Sequence, residues 1–176
     1  TLVHGNFIEG WIPDNYYGQV VVPSLKGQYG FSSRLKPLNC KFFNSTAFPD
    51  IASFVNGVFF DRNYHYLSEE KVSDFLFQER DTVVFKVDNS RQGSGVYLIN
   101  KQDFDLGFVR KLGNGLFQEK INQHSSLAEI TPNAVATLRV TTLYQNDGNV
   151  INLGSYLRMG RAIDSHVKSN SQIRVA

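Results

Sequence analysis

Cysteine is almost missing from this sequence: Cys40 is the only one in 176 residues. A single cysteine closes no intrachain disulfide and builds no cysteine-rich zinc centre, and it suits a reducing compartment. Long apolar runs are missing as well. No stretch approaches the length of a membrane-spanning helix, and no secretory leader is read. Charge of one sign is also scarce. Lys and Arg number 18 against 16 Asp and Glu, a net charge of +2, so no field demands nucleic acid or an anionic membrane. A cytoplasmic protein with no nucleic-acid partner and no membrane span is the expectation. The chain opens on Thr1 rather than methionine, as a processed, trimmed or excerpted polypeptide does.

Several catalytic signatures are absent too. His4, His65, His124 and His166 share no metal-ligand spacing such as H-x-x-x-H, which argues against zinc. There is no G-x-S-x-G elbow, and no cysteine–histidine pair can be argued from spacing. Cys40 reads as a small buried hydrophobe. No internal repeat or linker interrupts the chain.

What the sequence does have is aromatics and short apolar runs. With 41% hydrophobic residues, 14 Phe and 8 Tyr, it carries enough for one compact core of strand-rich character. Residues 19–22 read as a strand stopped by Pro23, and residues 36–48 as a short helix ended by Pro49, with Leu38, Phe42 and Phe43 on one side. Residues 51–61 are the clearest hairpin, with Asn56-Gly57, the preferred type I′ pair, between apolar flanks. Ser68 followed by two glutamates starts a helix that runs to about Gln78 and buries Val72, Phe75 and Leu76. Residues 100–114 are mixed. Residues 115–121 read as a strand, and residues 126–129 have capping-box spacing for a short helix. Residues 136–145 and 150–159, joined through Asp147-Gly148, form a second hairpin, and the tail beyond Arg161 is polar. Strands and helices mix with two hairpins, so the expected class is α+β.

The chain is organised around residues 82–99. An apolar run ends near Lys86, a polar loop holds Gly93, Ser94 and Gly95, and a second apolar run follows. A buried strand tolerates a lysine when its ammonium finds anionic or hydrogen-bonding partners. The glycine segment can lay backbone N–H groups over a phosphate, with Lys86 as countercharge. The order is not that of a Walker A loop, because the lysine precedes the glycines. From this stretch alone, an ordinary hairpin with a lysine in water is the simpler reading.

Lys86, Arg139, Arg158 and Arg161 lie on or beside predicted strands. On one face they would surround a polyphosphate, since Arg binds phosphate bidentately and Lys acts as a point charge. The commoner fate of such charges is a solvated outer face. Glu119-Lys120 fits a strand edge whose backbone binds a purine, and equally an exposed ion pair. Trp11, Tyr16 and Tyr17 suggest a carbohydrate-binding β domain, though an ordinary N-terminal core explains them more simply.

Taken in order, WIPDNYY, LNCKFFNSTAFPD, VNGVFFDRNYHYLSEEK, VVFKVDNSRQGSGV, LFQEKINQHSSLAEITPNAVATLRVTTL and LGSYLRMGR cover nearly the whole chain. In that order and spacing, the chain resembles the ATP-grasp superfamily, in its branch associated with sugar transfer in polysaccharide gene clusters. The resemblance implies an ATP-grasp fold of antiparallel sheets with flanking helices. It places the N-terminal part and small subdomain at residues 1–115 and the start of the C-terminal subdomain at 116–176. It implies that Lys86 contacts nucleotide phosphates and that Gln92, Gly93, Ser94 and Gly95 close over them. Lys41 would approach the α-phosphate side, although Cys40 stands where the family usually has an acid. Glu119, Lys120 and Ile121 would bind the adenine edge, with Gln123 or His124 near the ribose. Arg139, Arg158 and Arg161 would face the γ-phosphate and the acyl-phosphate being formed.

The implied cofactors are ATP and Mg2+. The implied chemistry is ATP-dependent ligation of a carboxylate to an amine through an acyl-phosphate, on a sugar or cell-surface glycan precursor. The family's magnesium ligands, an Asp and then Glu-x-Asn on a late strand, have no counterpart before Ala176, and Ser169-Asn170 stands where a Gly-Gly pair is usual. Two expectations follow. The chain is an excerpt of a longer enzyme whose C-terminal edge another segment or partner covers, or it is a non-catalytic nucleotide-binding or interaction module derived from one.

Overall fold

The computed structural model describes residue 5 and residues 9–90, 93–161, 163–167 and 172–175. Nine strands are described: β1 (Asp50–Val55), β2 (Val58–Asp61), β3 (Tyr66–Leu67), β4 (Thr82–Val87), β5 (Val96–Asn100), β6 (Gly115–Glu119), β7 (Thr137–Tyr144), β8 (Val150–Gly160) and β9 (Gln172–Val175). They form a six-stranded sheet in the order β3-β2-β1-β6-β4-β5 and a three-stranded sheet in the order β7-β8-β9. The recorded strand pairs are antiparallel. With its flanking helices the chain is α+β, as expected.

The first hairpin is as read. Asn56 and Gly57 take φ of 50° and 86°, the left-handed pair that a type I′ turn requires and that Gly57 accepts without strain. β4 then pairs with β5 from Thr82↔Asn100 to Lys86↔Val96, and with β6 from Val83↔Glu119 to Val87↔Gly115.

Alternation along these strands gives the large sheet two unlike faces. One face holds Phe54, Phe59, Val83, Phe85 and Phe117, each 3% exposed or less. The helices Glu69–Leu76 and Leu106–Leu112 cover it, contributing Val72, Leu76 and Val109. The rings interlock. Phe54–Phe59 and Phe85–Phe117 both stand 4.6 Å apart between centroids, and Phe59 meets Phe117 at 6.4 Å. Tilted aromatic pairs at such spacings add to the burial itself. The opposite face bears Asp50, Ser53, Lys86 and Gln118 among its smaller apolar residues. Part of it is covered by Pro37 and Cys40, which line a small void with Asp50 and Tyr64.

Local signals decide the two covering helices. Ser68 precedes the first, and Glu69 and Glu70 occupy its first turn. The second was not separable from its mixed surroundings in the sequence. Its N-cap is Asp105, whose carboxylate accepts the backbone N–H groups of Gly107 (3.1 Å) and Phe108 (2.8 Å). Asp105→Ala removes both bonds, and chemical denaturation should show a loss of about 1 kcal/mol.

Four elements differ from the sequence reading. Residues 19–22 are helical, within a run that includes Tyr17–Val21 and Val22–Lys26. Their side chains, exposed at Gln19 and Val20 and half-buried at Val21 and Val22, have no sheet to join, and Pro23 stands where the π-helical segment passes into Val22–Lys26. The helix expected over 36–48 is a 3-10 turn, Lys36–Leu38, and a helix, Asn39–Phe43, ended by Asn44 in left-handed conformation. Phe42 and Phe43 are exposed rather than buried in the core, and Phe43 stacks on Phe48 at 5.8 Å between centroids. The short helix Ser125–Ala128 is capped by His124, whose Nδ1 accepts from Ser126 N, in place of the expected serine cap. A last strand, β9, lies in the polar tail.

β7 is exposed along its whole length, and the small sheet is buried only at the far end of β8, at Met159 and Gly160. A Cβ on Gly160 would stand 2.4 Å from that of Ala134. The glycine therefore lets residues 131–134 close against the sheet, where Thr131 Oγ1 donates to Ala134 O at 2.8 Å.

Candidate functional site

The polar face of the large sheet and the near end of the small sheet enclose a cleft of about 430 Å³, within the range of small-molecule sites. Its floor is Val84 and Lys86 of β4, Val96 and Leu98 of β5, and Gln118 of β6. Residues 119–123 form one wall. Pro132, Val135, Thr137 and Arg158 close the far side, and Gly93 with residues 165–167 stands at its edge.

Lys86 is on this floor because Val83 and Phe85 face the core, so the intervening residues face the cleft. Burial pulls its ammonium below the ordinary lysine range, and the Asp50 carboxylate pulls it partly back. The fold therefore holds a desolvated cation that gains by meeting an anion. Asp50 is itself buried. Its Oδ1 accepts from Gln118 Nε2 at 2.6 Å, while its Oδ2 has no hydrogen-bond partner among the described residues.

After Glu119, residues 120–123 leave the ladder and run along the cleft. The Glu119 backbone N–H donates to Pro49 O at 2.9 Å, and its carboxylate turns outward to Arg80 at 3.0 Å. The expected ion pair at Glu119 thus exists, with Arg80 rather than Lys120 as partner. This leaves the backbone of 120–122 as the polar surface offered to the cleft. Gln123 Oε1 accepts the Ala136 N–H at 3.1 Å, which fixes the amide's orientation, and its Nε2 is buried without a partner among the described residues. An unmet buried donor in a cleft wall costs free energy that a ligand acceptor would recover.

Of the predicted site residues, Lys86, Gly93, Glu119, Lys120, Ile121, Gln123 and Arg158 come together around this one cleft. Ser94 and Gly95 continue the glycine turn, where Gly93 and Gly95 take φ of 81° and 70°. Gln92 lies outside the described residues. Ser94, Gly95 and His124 are not part of the lining, and Lys41, Arg139 and Arg161 are placed away from it. Lys41 Nζ sits 5.2 Å from the Tyr64 ring centroid, beside the part of the polar face that Pro37 and Cys40 cover. Arg139 is exposed on β7, two positions beyond Thr137, because the strand carries it past the cleft's end. Arg161 uses its backbone N–H to bond Asp164 Oδ2 at 2.9 Å, and its side chain is exposed. His124 caps its helix. Trp11, Tyr16 and Tyr17 are exposed on or beside the N-terminal helical run rather than packed in a core.

Three contributions escaped the sequence. Lys36 Nζ donates to the carbonyls of Val87 (2.7 Å) and Asp88, tying down the start of the glycine loop. Burial lowers its pKa, against the opposing pull of Asp88. Arg174 of β9 stands opposite Arg158 and lies 5.8 Å from the Tyr156 ring centroid, extending the basic row of the small sheet. His166 reaches the cleft edge from the tail. None of these lies in a motif; each is placed by pairing between distant segments.

No model of a known protein family, no curated protein and no solved structure matches the chain. Among the described residues, no group of three or more His, Cys, Asp and Glu comes together to hold a metal ion. No helix among them is long and apolar enough to cross a membrane.

On the covered side, Asp61 gives a pH dependence of stability. Burial works against its charge, but the backbone N–H groups of His65 and Asn63, each at 2.8 Å, and the His65 ring outweigh it and lower the pKa below the ordinary 3.8. A lowered carboxylate contributes stability that is present above 3.8 and lost as pH falls through its folded value. Asp61→Asn should therefore flatten the acid limb of a stability–pH curve and leave its slope near neutrality unchanged.

Proposed function

We propose that the cleft binds ATP and that the chain supplies the nucleotide-binding part of an ATP-dependent carboxylate–amine ligase of the ATP-grasp kind, acting on a sugar or cell-surface glycan precursor. The observation that carries this reading is convergence. A desolvated lysine, a glycine turn, an arginine and a free-running backbone segment meet around one cleft from both sheets, although they are spread over residues 86–158. Lys86 and Arg158 offer positive charge to it, and the backbone of 120–122 and the unmet Gln123 donor offer hydrogen bonds. That combination suits a ligand with anionic groups and a flat polar part.

In the ligation, a carboxylate oxygen attacks the γ-phosphorus and ADP leaves with the bridging oxygen. An amine then attacks the acyl carbon and expels phosphate. The chain's own part is electrostatic and positional: Lys86 and Arg158 hold phosphate oxygens and offset charge as it moves. No step is assigned to magnesium, for which one or two carboxylates with the nucleotide phosphates are the usual ligands. The second reading is a non-catalytic nucleotide-binding or interaction module. The glycan substrate is fold-level association.

Calorimetric titration with ATP, with and without magnesium, tests the reading. Saturable 1:1 binding supports it. Binding strengthened by magnesium favours the ligase, and binding indifferent to magnesium favours the module. A chain that binds no ATP under either condition contradicts the ligase and any nucleotide-binding module, and leaves only the interaction module.

A further inference from the structure

His166 spans the two halves of the cleft. Its Nε2 lies 2.7 Å from the carbonyl oxygen of Gly93, 73 residues away in sequence. A carbonyl oxygen only accepts, so Nε2 carries the proton and donates. Nδ1 then stands 3.0 Å from Ser165 Oγ, which donates to it and holds the ring in that tautomer. Both ends of this bridge are anchored. On the tail side, Arg161 N donates to Asp164 Oδ2 and Asp164 N to Arg161 O, each at 2.9 Å, closing a turn just before His166. On the loop side, Val87 N donates to Gly95 O at 2.8 Å. Gly95 is held at a φ of 70°, with Ser90 close enough that an added Cβ would stand 2.8 Å from its Cβ.

Gly93 and residues 165–167 line the same cleft. The bond between them therefore crosses its edge rather than an unrelated surface.

We infer that His166 is a positioning residue, a clasp that pins the glycine turn to the segment following β8 across the cleft edge and so slows ligand exchange. Its effect on nucleotide rests on the function proposed above; the clasp itself does not. Loss of one hydrogen bond of this kind corresponds to about a 2- to 10-fold change in the opening equilibrium. Gln restores a side-chain N–H of similar reach, whereas Ala does not.

The test uses the full chain with His166→Ala and His166→Gln. Amide hydrogen exchange is read at residues 93–95, and release of a fluorescent ATP analogue is read by stopped flow. Exchange at 93–95 should rise about 2- to 10-fold in His166→Ala, with Gln recovering most of it, and release should quicken by a similar factor. A general loss of structure would raise exchange in the β1–β6 core too, which separates unfolding from an open clasp. Unchanged exchange at 93–95 in His166→Ala overturns the inference, as does faster exchange there with unchanged release. If wild type binds no nucleotide while exchange responds as expected, the clasp stands and the nucleotide reading falls.

Discussion

Lys86→Ala is expected to weaken ATP binding from about 10-fold to somewhat over 100-fold, because it removes a charge-assisted contact worth roughly 1.5–3 kcal/mol. An exposed lysine would cost far less. Lys86 differs because the core-facing Val83 and Phe85 force it onto the cleft floor, where burial has already stripped part of its hydration. Lys41→Ala is the matched control. Its ammonium lies over Tyr64, beside the part of the polar face that Pro37 and Cys40 cover, so affinity should stay within about twofold. Equal losses from the two substitutions would place the phosphates elsewhere.

The lowered Lys86 pKa gives this prediction a pH arm. Affinity should begin to fall with rising pH below the ordinary lysine value of 10.5, because the neutral amine is no countercharge. Folding stability runs the other way. Between the lowered folded value and 10.5 the unfolded chain binds more protons at this site, so its contribution to stability rises with pH across that window.

Phe117→Ala should produce the largest loss of stability, about 3–5 kcal/mol. The side chain is 0% exposed and lies between Phe85 at 4.6 Å and Phe59 and Phe104, both at 6.4 Å. It sits at the centre of β6, which joins β1 to β4, so a cavity there loosens the strand that also leads into residues 119–123. A domain of ordinary stability, about 5–15 kcal/mol, would lose a large fraction. Urea unfolding reads this as a fall in midpoint. Phe42→Ala, on an exposed ring, should shift stability by no more than about 0.5 kcal/mol. Comparable losses from both would mean that the aromatic core is misplaced.

Much of the large sheet was legible because its signals are local. Asn56-Gly57 forces a hairpin, and Val83, Phe85 and Lys86 alternate in and out without help from distant chain. Val20, Val21 and Val22 misled for the converse reason. Their β-branched side chains favour a strand only where there is a sheet to join, and here they are helical. The helix Leu106–Leu112 has its Asp105 cap and a following Gly113 in plain view, but seven residues carry too little periodicity to stand out.

At the site, the residues tied to strand phase were legible. Lys86 and Arg158 reach the cleft because their strands must turn them there. Arg139 shows the limit of that argument: the correct face does not fix how far along a strand the cleft extends. Lys41 stands away from the cleft lining because it lies on the helix Asn39–Phe43, whose end no pattern marks. His166 was beyond reach of spacing arguments, since its partner is a backbone carbonyl 73 residues away.

The central claim is that one ligand cleft lies between the two sheets and that ATP occupies it. Titrating isotope-labelled chain with ATP while following backbone amide resonances tests this most directly. The account predicts saturable shifts concentrated at Val84, Lys86, Gly93 and residues 118–123, with residues 135–137 and Arg158 moving at the same ligand concentration. Saturable shifts confined to the exposed faces of β7 and β8, or to the N-terminal helical run, with the cleft residues unmoved, would contradict it.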